Sequence, residues 1–478
     1  MNKIESIAQN TSYLTLALIL QKIISFSYFV ILARNFVPED LGKYYFALSF
    51  TTVFSIFIDF GLANLLTREI AKKQNQANEI LTNVVIIKTI FASFVFIGMV
   101  IILQFTQYSL LINNLIYISS ICMILDSFTT CFFAIIRGFH NLIFESVSAI
   151  LFQIIVFICG ITMVYLNYDL TFLMASLAIA SIINFGFASF VLFFKIKVKF
   201  IKNLISLQRI RAILILVLPF SIFAILQKFY TYFDSVLLYE LASAKFVGLY
   251  QVAFKIILAL QFLPMAFTAS LYPAMTSYFL TNKNQLIISF ERALNYLVII
   301  SLPISFGIIS LIDEIIVFFQ AEYIEAILPT KIIVSAVFFI FINFPIGSLL
   351  NACDKQMKNT MNMAIVLAVS IILNYLLIPH YQVIGASITV LATNLLMFIL
   401  GIYQVKKIIK FSQKKFIIIL AKSLLASSMM TVLVVYLKEI LILPLVMIIG
   451  GFVYFLILFL LGGFAKEDVL SIYKSFRK

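Results

Sequence analysis

Of the 478 residues, 63% are hydrophobic and only 11% are charged, more apolar surface than a soluble fold of this length can hide. The net charge of +14 would suit a nucleic-acid binder, but basic residues also gather in the cytoplasmic loops of membrane proteins, and that reading excludes nucleic acid as a partner. Four cysteines without metal-ligand or disulfide spacing, and two histidines, predict no metal and no cofactor.

Fourteen windows approach the ~20 apolar residues that cross a bilayer. The first, residues 12–33, has no small-residue cleavage site and is expected to be a retained helix, not a signal peptide. Lys22 lies ten residues into it, about 15 Å deep at ~1.5 Å per residue. Thr15, Lys22 and Ser25 share one helix face. A lysine at the centre of a membrane helix costs roughly 2.5–3.5 kcal/mol, so this face is expected to meet protein or water.

The second window, 42–64, carries Asp59 toward one end, with Arg68, Lys72 and Lys73 beyond it. The third, 80–104, embeds Lys88 within snorkelling reach of the same side. The fourth, 109–136, holds Asp126 and is followed by Arg137. Asp59 near Arg68, and Asp126 near Arg137, predict gating or structural ion pairs between helices, with a proton or sodium site as the alternative. Windows 145–167 and 169–194 form a close pair, and a basic amphipathic connection, 195–211, is expected to lie on the anionic cytoplasmic leaflet.

The seventh window, 212–238, embeds Lys228 in a polar stripe with Ser221, Thr231, Tyr232 and Ser235. Lys228 is expected to line a cavity, with pairing to Asp234 or Asp59 as the alternative. Lys255, in window 246–272, has the same expectation. Windows 286–311, 327–351, 359–378, 383–406, 415–437 and 440–463 complete the chain. The outer acids Asp313, Glu314, Glu322 and Glu325 read as a solvated loop, and Lys422 as a snorkelling anchor.

Ile19-Leu20-Gln21-Lys22 returns 206 residues later as Ile225-Leu226-Gln227-Lys228. Val30/Val236, Leu32/Leu238, Gly42/Gly248, Tyr44/Tyr250 and Ala47/Ala253 keep the offset. A repeated embedded lysine points to a transporter built from parallel repeats that meet at a central cavity. The predicted fold class is an all-α membrane protein of about 14 transmembrane helices. Two pseudo-symmetric six-helix bundles, 1–205 and 206–411, are followed by an appended helix pair and tail, 412–478. Twenty-three of the 34 cations fall in loops on the side of the termini and five on the other, Arg34 among those five. That bias places both termini in the cytoplasm. The longest connection is the basic one, and no G-x-x-x-x-G-K-[ST] loop occurs, so neither an ATPase nor a soluble catalytic domain is expected. A polymerase or ligase would need a long outer loop with catalytic basic residues, and the predicted function is not enzymatic.

The run Ile31-Leu32-Ala33-Arg34-Asn35-Phe36-Val37-Pro38-Glu39-Asp40-Leu41-Gly42-Lys43-Tyr44-Tyr45 resembles the first helix-loop-helix of polysaccharide repeat-unit flippases, the O-antigen and capsule branch of the multidrug/oligosaccharidyl-lipid/polysaccharide exporter superfamily. Asp59-Phe60-Gly61-Leu62, Thr67-Arg68-Glu69-Ile70-Ala71, Arg137-Gly138 and the asparagine-rich turn 351–359 are similar too. The resemblance implies a fold like that of the drug-exporting and lipid II branches. It implies flipping of an undecaprenyl-diphosphate-linked oligosaccharide across the bacterial inner membrane by alternating access. In related lipid II flippases a first-helix cation lines the cavity, and Lys22 holds the similar position. Those relatives often carry arginine there, whereas lysine is a point charge without a bidentate fork.

The diphosphate set is expected to be Lys22, Lys228 and Lys255 with Ser25, Thr231 and Tyr232. Asp59, Arg68, Asp126, Arg137, Asp234, Lys88 and Arg34 are expected to gate or to couple an ion. The implied partners are the lipid-linked oligosaccharide, membrane lipids, an H⁺ or Na⁺ counter-ion, and a polysaccharide polymerase with its chain-length regulator. The alternatives are a lipid II flippase and a cation-coupled multidrug exporter of the same superfamily. The exporter should prefer acids in its cavity.

Overall fold

Apolar segments can cross a bilayer only with every backbone group bonded internally, which selects helices or closed barrels. A computed structural model describes residues 3–463, with side chains from residue 13 onward except those of 64 and 218–220, and it is helical. The side chain of Lys3 and the tail 464–478, with Lys466, Lys474, Arg477 and Lys478, lie outside the described residues.

The chain forms two compact units, Met1–Gln251 and Val252–Lys478. The first contains α1 (Lys3–Asn35), α2 (Pro38–Asp59), α3 (Leu62–Lys72), α4 (Ala77–Phe105), α5 (Leu110–Gly138), α6 (Ile143–Tyr165), α7 (Leu170–Phe190), α8 (Leu207–Leu241) and the start of α9 (Ala244–Leu260). The second contains the rest of α9, then α10 (Phe262–Thr281), α11 (Lys283–Ile316), α12 (Ile327–Ser335), α13 (Val337–Ala352), α14 (Gln356–Ile408), α15 (Gln413–Leu437) and α16 (Leu443–Leu460).

Among the described residues twelve segments are long and apolar enough to span a membrane. A thirteenth is added when the two arms of α8, Leu207–Val217 and Ser221–Leu241, inclined at 61°, are taken as one span. The fourteen sequence windows differ because they divide α14. At 53 residues this helix would run about 80 Å, far beyond the ~30 Å hydrocarbon. At Gln382 its backbone leaves the helical region (φ 51°, ψ −127°), and two helices meet there.

The window 42–64 also runs through a break. Phe60 (φ 38°) and Gly61 (φ 69°) are both left-handed, so α2 stops at Asp59. After the turn, α3 buries Leu62, Leu66 and Ile70 and leaves Arg68 exposed. Asp59 is therefore the last residue of a helix, held by a turn of fixed shape.

In the first unit α2 packs against α4, α5 and α8. One apolar core joins α3, α4, α5 and α7 through Leu66, Ile70, Leu81, Ile136 and Ala188. In the second unit one core gathers Phe290, Leu294, Ile346 and Leu349, and another gathers Met430, Val446 and Tyr454. Large apolar side chains such as Phe94, Phe105, Val432, Ile448 and Leu460 stand exposed on the outside, as a lipid-facing surface requires.

Two details fix α2. The basic connection after α7 is clipped to α4 by hydrogen bonds. Asn83 donates to the Leu204 carbonyl at 2.9 Å and accepts from the Ser206 amide at 2.9 Å, and Asn78 accepts from the Lys199 amide at 2.8 Å. At the other end of the bundle, α2 meets the start of α9 backbone to backbone. A Cβ on Gly42 would stand 1.7 Å from the Ala244 carbonyl oxygen, and one on Gly248 would stand 1.9 Å from that of Pro38. Gly42 and Gly248, like Pro38 and Ala244, are separated by the repeat offset, so equivalent positions of the two repeats touch each other.

Candidate functional site

Three of the charges that the sequence placed inside the membrane, Asp59, Lys88 and Lys228, converge on the C-terminal end of α2. Lys88, on α4, is buried to 1% exposure and donates to Asp59 Oδ1 at 2.7 Å. Its other hydrogen bonds go to α5, to the Ser127 carbonyl at 2.8 Å and the Ser127 hydroxyl at 2.5 Å. Ser127 Oγ donates in turn to Asp59 Oδ1 at 2.5 Å. Lys228 comes from α8 on the opposite flank of α2. It donates to Ser55 Oγ at 2.6 Å, and its ammonium lies 3.8 Å from Asp59 Oδ2. The Lys228 and Asp59 side chains are each about one third exposed, at 34% and 32%, against 2% for Lys88.

The physical consequence is a graded triad. An ammonium has three donors, and those of Lys88 are all engaged by Asp59 and Ser127 in a dry setting. Lys228 has one short bond and one longer ionic contact, and it borders accessible space. Two cations share one carboxylate, which leaves an excess positive charge on the exposed side. That arrangement favours an anion.

The remaining predicted residues are dispersed. Lys22 is half-buried on α1 and makes no ion pair or hydrogen bond among the described residues. Ser25 is half-buried nearby on the same helix. Thr231 bonds the Gln227 carbonyl of its own helix at 2.8 Å. Tyr232 is half-buried about one turn after Lys228 on α8. Asp234 is buried and accepts from the Tyr250 hydroxyl at 3.2 Å. Lys255 is half-buried on α9 in the second unit, Arg34 is exposed at the end of α1, and Arg68 is exposed on α3, 3.7 Å from Glu69.

Asp59 thus meets Lys88 and Lys228, not Arg68. Arg137 meets Glu145 at 3.1 Å, not Asp126. Asp126 lines a separate polar cavity of about 240 Å³ in the first unit, with Gln21, Glu145, Ser148 and Asn184. Its Oδ1 is buried and accepts no hydrogen bond among the described residues. Sequence reasoning did not single out Ser55, Ser127 or Glu145. Ser55 lies four residues before Asp59, on the same helix face, and that spacing was the available signal.

A family model described as "Polysaccharide biosynthesis protein" matches residues 7–279, more than half of the chain. An uncharacterized membrane protein of Methanocaldococcus jannaschii is 26% identical over 421 residues, 82% of this chain and 82% of that protein. The capsular polysaccharide biosynthesis protein CapF of Staphylococcus aureus is 21% identical over 410 residues, 84% of this chain and 99% of its own. Among solved structures the fold is similar to that of the lipid II flippase MurJ in an inward closed conformation, with a TM-score of 0.76, 17% identity, and coverage of 96% of this chain and 99% of that one. It is also similar to an inward-facing multidrug resistance MATE family transporter of the MOP superfamily, with a TM-score of 0.68, 14% identity, and coverage of 81% and 94%.

Proposed function

Because this multi-pass membrane chain belongs to the polysaccharide biosynthesis protein family, we propose that it flips an undecaprenyl-diphosphate-linked oligosaccharide repeat unit from the cytoplasmic to the outer leaflet by alternating access. The observation that carries this reading is the excess of cations over carboxylates at the accessible side of the triad, where Lys228 is one third exposed. Lys228 and Lys22 bind the diphosphate, with Ser25, Thr231 and Tyr232 adding hydroxyls, and Lys255 is the second unit's candidate for the same role. The protein resides in the bacterial inner membrane with both termini in the cytoplasm. The membrane potential, negative inside, assists export of the anion. Two charges at ~150 mV correspond to roughly 7 kcal/mol, from about 2.3 kcal/mol per charge per 100 mV.

The polar cavity around Asp126 supports a second element, an H⁺ or Na⁺ counter-ion that moves against the substrate. The same cavity is the feature that favours a cation-coupled drug exporter. Deletion separates the two: a flippase deletion loses surface glycan, and an exporter deletion loses drug resistance. The direct test is surface glycan export by Lys22→Ala and Lys228→Ala, each checked for normal insertion. Export at the wild-type rate by both variants would remove the diphosphate role.

A further inference from the structure

The two oxygens of Asp59 are used unequally. Oδ1 takes both short bonds, from Lys88 and Ser127, while Oδ2 faces Lys228 at 3.8 Å, beyond hydrogen-bond range. Lys88 is dry, with its donors directed to Asp59 and Ser127. Lys228 is the less constrained cation of the set, with one short hydrogen bond against the three of Lys88. It is anchored at Ser55, one turn before Asp59, and its side chain reaches accessible space. Asp59 itself sits where α2 stops, at the left-handed Phe60–Gly61 turn, so its backbone is in no position to follow a departing lysine.

We propose that Asp59 is a stand-in anion for the substrate headgroup. Lys228 rests against it between substrates and transfers to a diphosphate group when one arrives, while Lys88 and Ser127 hold Asp59 back. Lys88 is then a positioning residue that never touches substrate. Asp59 sets the affinity by competing for Lys228. The proposal rests on the reading of Lys228 as a headgroup ligand. A protein whose binding-competent state is only partly populated binds its ligand with an apparent affinity reduced by that fraction. Removing the competitor should therefore tighten binding.

The test is binding of a short-chain prenyl diphosphate to the full-length protein in detergent micelles. Asp59→Asn is expected to bind about three- to tenfold tighter than wild type. Lys88→Met is expected to bind more weakly, because Asp59 loses its anchor and closes on Lys228. The double variant Lys88→Met/Asp59→Asn is expected to recover at least wild-type affinity. Asp313→Asn, which removes a carboxylate paired with Lys331 in the second unit, controls for net charge and should leave binding unchanged. If Lys88→Met does not fold, Ser127→Ala, which removes the other donor to Oδ1, should weaken binding in the same direction.

Two failures are distinguishable. If Lys228→Met binds as wild type, the headgroup role of Lys228 falls, and the stand-in role falls with it. If Lys228→Met loses binding but Asp59→Asn, folded and monodisperse, binds no tighter, the stand-in role alone is overturned. Equal tightening by Asp313→Asn would also overturn it, because the gain would then come from net charge.

Discussion

The two ends of α2 meet their neighbours by opposite means. At the Gly42 end no side chain separates it from α9, and the neighbouring atoms are carbonyl oxygens that have no rotamers to change. Phe46, one turn further on, stacks on Tyr239 with ring centroids 3.8 Å apart, and Tyr108 meets both rings edge-on. At the Asp59 end the contacts run through polar side chains, a carboxylate, two ammonium groups and the Ser127 hydroxyl, at 2.5 to 3.8 Å, with Asp59 and Lys228 partly exposed. A contact made by the absence of side chains has one geometry. A contact made by ammonium groups and a carboxylate has several, and a ligand can choose among them. One helix thus carries a fixed end and an adjustable end.

The largest effect should come from the charged end. Lys88→Met leaves Asp59 without its principal cation, and breaking a buried ion pair by removing one partner costs about 3–5 kcal/mol. Asp59 is a third exposed, so the low end, about 3 kcal/mol, is expected from unfolding in detergent. Replacing both partners, Lys88→Met with Asp59→Leu, should recover most of that loss, because neither member of the buried pair is left charged, and Lys228 is one third exposed and keeps its bond to Ser55. A single-variant loss below about 1 kcal/mol would mean that the pair is hydrated and the triad is not graded as described.

The fixed end comes next. Gly42→Ala and Gly248→Ala should each cost about 1–3 kcal/mol, the usual range for overpacking, and by similar amounts since they occupy equivalent places. Gly98→Ala is the contrast. Nothing lies within 4 Å of its added Cβ, and the helix interior should gain about 0.5–1 kcal/mol. If all three variants behaved alike, the close approach of α2 and α9 would not be the reason for the glycines.

The sequence made the two ends legible to different degrees. The repeat offset marked Gly42 and Gly248 as equivalent, because register survives in a linear string. It did not reveal that the two glycines touch. Embedded Lys88, Lys228 and Asp59 were found because each is expensive in an apolar helix. Of their partners, Asp59 was named for Lys228 only as an alternative to cavity lining, and Ser55, Ser127 and the Lys88–Asp59 pair were missed, because Lys88 and Asp59 are 29 residues apart and Lys228 and Ser55 are 173 apart, and nothing local encodes a pairing across helices. Lys22 and Lys228 share a motif yet differ in environment, since only Lys228 meets a carboxylate of α2. The turn at Phe60–Gly61 escaped the hydropathy windows because a break of two apolar residues leaves the average unchanged. The kink at Gln382 fell between two windows, where polar residues and Pro379 interrupt the apolar run.

The smallest effect tests whether the aromatic cluster at the fixed end is dry. Tyr108 lies between α4 and α5, outside the spans, and its hydroxyl donates to the Glu240 carboxylate. Burial first, and then that hydrogen bond, raise its phenol above the ordinary range. A raised phenol holds its proton more tightly in the folded state than in the unfolded one. Its contribution is therefore complete below the ordinary value of about 10 and is lost as pH rises through the higher folded value. Tyr108→Phe should cost about 0.5–1 kcal/mol at neutral pH, the net value of one hydrogen bond. The gap between wild type and variant should narrow above about pH 10, where ionisation of the unfolded tyrosine begins to favour unfolding of the wild type only. Thermal melts of both proteins from about pH 7 to 11 read this directly. Parallel curves would place the Tyr108 hydroxyl in open water and leave the glycine contact alone to hold that end of α2.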